Sequence, residues 1–345
     1  MLAAFTIGAP LSAQSERTVT KLADGVYEIR HRDAGDGFAG GNTTVIIGDR
    51  QVFVVDAPFL PSDAREDIAQ IRQWTTKPVS FLLTTHFHND HNLGNRAYMD
   101  AFPALTIIAH VETKKDMDLF GPGSRDREER ATAAYQQMLD RGKNSDGTAL
   151  TDADKAELRR ILVRRRQVLD ELAPVAFQSA TLTFDHDFTI DLGNRTVQIR
   201  FLGRGNTAGD AIAYLPTERI AIVGDLVVHP VPYVYDGYPS EWTETLRRLV
   251  ELNAATIVPG HGPVMHDSTY LSLLRELFAS ACTQVNDALR KTGPAMFRTV
   301  DDIESAVDLT SFRRRFAGND AALAAEFDRA TAQVIRVVFR EASLR

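Results

Sequence analysis

Apolar and polar positions along this chain alternate first in twos and then at helical intervals. Residues 25–31 and 42–56 carry the period-two pattern of strands, with Gly48-Asp49-Arg50 as the turn between Thr43–Ile47 and Gln51–Val55. Asp63 to Trp74 has helical spacing, and Pro61 and Ser62 supply its start signals. Val79–Thr84 is a short apolar run that reads as a buried strand, Asn95 to Asp100 as a short helix, and Thr106–Ala109 as another strand. Strands alternating with helices point to an α/β layered fold.

From 111 to 175 the pattern changes. Arg125 to Arg141 and Asp152 to Leu172 are dense in Arg, Glu, Asp and Ala, with Leu158, Ile161, Leu162, Leu169 and Leu172 at helical intervals. Thr151 and Asp154 have the spacing of a capping box. This segment is expected to be a helical insertion between two halves of a sandwich. Arg164-Arg165-Arg166 is expected to be a solvated helix face. Strand-type segments return at 181–184, 187–191, 195–202, 210–215, 219–224 and 256–258, with a helix from Glu241 to Leu252. Beyond Pro263 the chain reads as helical: Ser268 to Lys291, Val300 to Phe316 and Ala321 to Arg340.

Composition narrows the function classes. Hydrophobic content of 44% and charged content of 25% are those of a globular domain. A net charge of −7 argues against nucleic acid as a partner. A single cysteine, Cys282, excludes an internal disulfide, and its helical setting far from the histidines argues against a thiolate ligand. Residues 1–13 are mostly apolar or small and end in Leu11-Ser12-Ala13, which reads as a remnant of an export signal and so as a periplasmic or secreted protein; without it the protein would be cytoplasmic. No other segment approaches the ~18 apolar residues of a membrane span. A small-molecule substrate is expected, with no stable membrane insertion, and no oligomeric state is assigned.

The candidate chemistry is concentrated in His86-Phe87-His88-Asn89-Asp90-His91, directly after an apolar run. Three imidazoles and a carboxylate are ligand types for zinc and its neighbours. Alternate residues point opposite ways, so His86, His88 and Asp90 can share one side while His91 reaches another. That geometry suits two adjacent metal positions. Other chemistry-bearing segments follow: Gly203-Arg204-Gly205-Asn206-Thr207-Ala208-Gly209-Asp210, Ile220 to Asp225, and Ile257 to Pro263 with His261 in a Pro-Gly-His-Gly turn.

Together these segments resemble the metallo-β-lactamase superfamily over residues 20 to 265, with 266–345 as a helical extension packed on the same domain. The resemblance implies a four-layer αββα sandwich carrying the helical insertion 111–175. It implies that His86, His88 and position 206 bind one metal, that Asp90, His91 and His261 bind a second, and that Asp225 bridges them. Asn206 stands where the family usually has histidine, so it is expected to bind weakly or only through the outer sphere. The Asp90/His91/His261/Asp225 site is then the tighter of one or two zinc ions, with iron as the alternative metal. Asp90 is the catalytic candidate, orienting a metal-bound hydroxide. Asp56, Thr85 and Thr207 are expected to support the ligands from behind, and His229, Tyr233 and Tyr235 to border the substrate pocket. The bridging carboxylate resembles that of hydroxyacylglutathione hydrolases, lactonases and phosphodiesterases. Hydrolysis of an ester, thioester or lactone is therefore the implied activity. An iron-dependent sulfur dioxygenase-like enzyme and a β-lactam hydrolase are the alternatives.

Overall fold

A computed structural model describes residues 16–32, 40–144, 147–292 and 300–343. The export-signal reading of residues 1–13 falls outside them. Strands β1 (Thr18–Ala23), β2 (Val26–Arg30), β3 (Thr43–Ile47), β4 (Val52–Val55), β5 (Val79–Leu83), β6 (Thr106–His110) and β7 (Leu182–Phe184) form a seven-stranded sheet in that order. β1 to β4 pair antiparallel and β4 to β7 parallel. The second sheet runs β12-β11-β10-β9-β8, from β8 (Phe188–Asp191), β9 (Thr196–Phe201), β10 (Ala211–Leu215), β11 (Ile220–Ile222) and β12 (Thr256–Val258).

Period-two patterning assigns each face. Phe53 and Val55 of β4 meet Ala211, Ala213 and Leu215 of β10 in the core between the sheets. Their neighbours Val52 and Val54 face outward against Ile68 and Ile71 of helix α1 (Pro61–Trp74) and Tyr98 of α2 (Asn95–Ala101). The outer face of the second sheet, through Ile212, Ala221 and Ile257, packs against Leu246, Phe278 and Val334. Those side chains belong to α6 (Pro239–Glu251), α7 (Thr269–Thr292) and α10 (Ala321–Ser343). The layers are therefore helix, sheet, sheet, helix, as the αββα expectation required. Among the described residues no helix is long and apolar enough to cross a membrane.

The structure departs from the sequence reading in four places. β1 was not expected, because its half-exposed residues show no apolar face. The segment 111–175, comprising α3 (Val111–Phe120), α4 (Ser124–Arg141) and α5 (Asp152–Leu172), does not separate the two sheets. It is the crossover from β6 to β7 within the first sheet, because parallel strands need a long connection. Arg165 is not solvated: it is buried, with its guanidinium on the Glu128 carboxylate at 2.6 Å and on Thr132 Oγ1 at 3.0 Å. Finally, 300–316 breaks into α8 (Val300–Glu304) and α9 (Thr310–Ala317), where Asp308 Oδ1 accepts the Thr310 amide at 2.9 Å and starts the second helix. The expected capping box does form: Thr151 Oγ1 accepts the Asp154 amide, and Asp154 accepts the Thr151 amide.

Candidate metal centre

The carboxyl ends of β4, β5, β9, β11 and β12 all feed loops that bear a candidate side chain. After β5 the chain bends at His86 and Phe87, His88 is extended, and Asn89–His91 close a single 3-10 turn. Asn92 Nδ2 ties that turn down by donating to the Phe87 and His88 carbonyls at 2.7 and 2.9 Å. Two groups of potential ligands result, His86/His88/Asp225 and Asp90/His91/His261, each with its donor atoms within 4.8 Å of one another.

In the first group His86 Nε2 lies 3.0 Å from His88 Nδ1 and 3.5 Å from Asp225 Oδ2. In the second, His261 Nε2 lies 3.0 Å from Asp90 Oδ2 and 3.2 Å from His91 Nε2. Asp225 Oδ1 faces the second group, 3.3 Å from His91 Nε2 and 3.4 Å from His261 Nε2. Asp225 thus offers one oxygen to each group.

Asn206 occupies the remaining corner of the first group. Its Nδ2 donates to Asp225 Oδ2 at 3.2 Å and sits 3.4 Å from His88 Nδ1. The same turn is shaped by Asp210, whose Oδ2 accepts the Gly205 and Thr207 amides at 3.2 and 2.7 Å. Thr207 faces this turn, its Oγ1 accepting the Gly209 amide at 3.3 Å. Thr113 Oγ1 of α3 holds the Gly209 carbonyl at 2.7 Å.

Behind the ligands, Asp56 Oδ2 meets His91 Nδ1 at 3.0 Å and Thr85 Oγ1 at 2.8 Å, while Asp56 Oδ1 accepts the Thr85 amide at 2.7 Å. Asp56 adopts φ +60°, a left-handed conformation that Asp and Asn tolerate best among residues with a side chain. Thr85 Oγ1 also reaches His86 Nδ1 at 3.1 Å. One supporting carboxylate therefore braces a histidine of each group, directly or through Thr85.

Asn42 does similar work from the first sheet, and nothing in its sequence context announced it. Its amide donates to the Gly260 carbonyl, and its Nδ2 to the Pro259 and Gly262 carbonyls, at 2.7 to 3.0 Å. That clasps the turn bearing His261. Gly260 itself has no room for a side chain: a Cβ there would come within 2.0 Å of Asp225 Oδ1.

Burial and charge act together here. Burial, and then His86 beside it, pushes the His88 imidazole down to about 3. Burial opposes charge on Asp90 and Asp225, yet the surrounding histidines overcome it and hold both carboxyls well below the usual range. Burial likewise opposes charge on His91 and His261, and the facing carboxylates raise both all the same. Burial raises Asp210 to about 6, more than His86 and the backbone and side-chain hydrogen bonds of Thr207 offset, and the charge of Asp225 adds to the rise.

The donor set fits a divalent cation. Facing imidazole nitrogens about hydrogen-bond distance apart cannot all be satisfied by one another, and the set contains only nitrogen and oxygen. Asp225 Oδ1 and Asn206 Oδ1 are buried with no hydrogen-bond donor among the described residues.

The remaining expected pocket residues all lie on the segment between Asp225 and α6. The backbone N–H of His229 donates to the His261 carbonyl at 3.2 Å, and its ring packs against Tyr270 at 5.0 Å. Tyr233 directs its hydroxyl away to Glu326 of α10. Tyr235 remains exposed beside it, their rings 6.3 Å apart. Cys282 lies on α7 and belongs to neither ligand group. His110 caps α3 by accepting the Glu112 amide and stacks on Phe201 at 4.1 Å.

A family model described as the metallo-beta-lactamase superfamily matches residues 36–261. A linear primary-alkylsulfatase of Pseudomonas sp. is 25% identical over 233 residues, which are 61% of this chain. The chain spans only 39% of that relative's length. Among solved structures, a metallo-beta-lactamase from Pontibacter korlensis superposes with a TM-score of 0.54 at 18% identity, over 76% of this chain and 99% of that one. The DIM-1 metallo-beta-lactamase gives 0.53 at 15% identity, over 78% and 99%. These likenesses establish a shared layered fold.

Proposed function

This chain belongs to the metallo-beta-lactamase superfamily, and from that premise we propose that it is a metal-dependent hydrolase of small-molecule esters, with carboxylic esters, thioesters and lactones as the first class. The observation that carries this reading is Asp225, a buried carboxylate with one oxygen on each of two ligand groups. The alkylsulfatase relative brings sulfate esters as a second reading.

His86, His88 and Asp225 Oδ2 would hold one ion, and Asp90, His91, His261 and Asp225 Oδ1 another. Zinc is the first expectation for this nitrogen and oxygen set and iron the alternative. A bound ion supplies Lewis acidity and activates water near neutral pH. Asp90, the least buried carboxylate of the set, is placed to orient the attacking water by accepting a hydrogen bond from it. Asn206 holds Asp225 Oδ2 through its N–H and so acts from outside the ligand sphere. The second position then has four side-chain donors and the first has three, which makes the second the tighter.

The test loads metal-free protein with zinc or iron and follows a panel of esters, thioesters, lactones, alkyl sulfates and β-lactams, alongside oxygen uptake. Hydrolysis of an ester class without oxygen consumption is expected. Oxygen uptake by the iron form, or turnover confined to β-lactams, would overturn the reading.

A further inference from the structure

Where α3 gives way to α4, the surface is apolar beside the candidate metal centre. Leu119 and Phe120 are 68% and 42% exposed. Single exposed apolar side chains are ordinary, and Phe120 stands out only through the rings it continues into. The Phe120 ring lies 5.4 Å from that of Phe87, and the Phe87 ring 4.8 Å from the His88 imidazole. The apolar surface therefore runs from solvent to a side chain of the first ligand group.

This ledge is fixed to the loop that carries the ligands. Ser124 Oγ donates to Asn89 Oδ1 at 3.0 Å, and Arg127 Nη2 donates to the same oxygen at 3.3 Å. Arg127 Nη1 also holds the Phe120 carbonyl. Gly121 lies so close to Phe177 that a Cβ would come within 2.2 Å of its ring. Asn89 stands between His88 and Asp90, so the apolar corner and the ligands keep one mutual position.

We propose that Phe87 and Phe120, with Leu119 next to them in the chain as the outer end, receive an extended apolar chain of the substrate, so that long acyl or alkyl groups are preferred to short ones. Three side chains offer far less than the ~800 Å² per partner of a stable protein interface, whereas they suffice to cover a hydrocarbon chain. Continuity with His88 sets the occupant, since a substrate reacting at the centre must lay its remainder along this wall.

The proposal rests on the hydrolase reading, and its test separates the two. The metal-loaded full chain is titrated calorimetrically with n-alkyl phosphonates from ethyl to dodecyl, and the matching p-nitrophenyl esters are assayed in parallel. Affinity is expected to rise about two- to fourfold per methylene until the ledge is filled. Phe120→Ser and Leu119→Ser are expected to lower the dodecyl-to-ethyl affinity ratio by about tenfold. Val19→Ser, an exposed position on β1 at the opposite edge of the sheet order, leaves that ratio unchanged. A ratio near one in the wild type, or a wild-type ratio in both ledge variants, overturns the proposal. Chain-length-dependent binding that the ledge variants lose, without turnover of any ester, keeps the ledge and rejects the hydrolase. Ester turnover without chain-length preference does the reverse. Self-association that Phe120→Ser abolishes at an unchanged ratio would make the ledge a contact between copies and also overturns it.

Discussion

Asp56 and Asn206 act on the same cluster by opposite means, one through charge and one through its lack. Asp56 is buried at φ +60° and accepts from Thr85 twice while meeting His91 Nδ1. A carboxylate behind an imidazole fixes its tautomer and raises its basicity toward a cation. Asp56→Asn keeps the shape and tolerates the left-handed backbone but removes the charge. Metal affinity should fall about 10–100-fold in a chelator competition, with the melting temperature of the metal-free protein little changed. Affinity equal to wild type would reduce Asp56 to a packing role. Asn206→His places an imidazole where an amide now donates to Asp225 Oδ2. Zinc titration of this variant should show the weaker step tightened by at least about tenfold, which corresponds to one good ligand contact of ~1.4 kcal/mol. An isotherm identical to wild type would mean that position 206 never reaches the ion.

At the scale of elements, the crossover α3–α5 shows why local pattern and final position part company. Arg164, Arg165 and Arg166 read as one charged run, yet successive helical residues are turned by about 100°, so the three cannot share a face. The middle one points at α4, where Glu128 and Thr132 receive it and the Tyr135 ring lies 5.3 Å from its guanidinium. Removing one partner of a buried pair strands the other. Arg165→Met should therefore cost about 2–4 kcal/mol and raise amide exchange first in α4 and α5. Uniform exchange across the molecule would place the loss elsewhere. The ligand-bearing loop was legible because His86 to His91 are contiguous and follow an apolar run, and Asp225 and His261 because each closes a short strand at a glycine turn. Asn42, Asp210, Ser124 and Arg127 were not, because their partners lie far along the chain and no local periodicity records such contacts. β1 escaped for a different reason: an edge strand with little buried surface has no apolar face to display.

For the molecule as a whole, the ligand groups join the two sheets. His86 to His91 follow β5 of the first sheet, while Asn206, Asp225 and His261 follow β9, β11 and β12 of the second. Thr85 adds a direct link by accepting the Ala211 amide at 2.9 Å. An ion held by both sheets stabilises the folded state through mass action alone. At a free concentration 100 times Kd this amounts to about 2.7 kcal/mol, or a rise in Tm of about 3–8 °C, reversed by a chelator. Metal removal, verified by elemental analysis, that leaves Tm unchanged would show that the sheets hold together without it. The clasp of Asn42 on Pro259, Gly260 and Gly262 has a consequence in time as well as space. Synthesis delivers Asn42 and the His86–His91 loop long before it delivers the turn they await. Until Pro259 to Gly262 leave the ribosome, the nascent chain holds an open hand: the second group lacks His261 and the bridge from Asp225 lacks its backing. The second group of side chains can therefore come together only once the last turn of the sandwich has been translated.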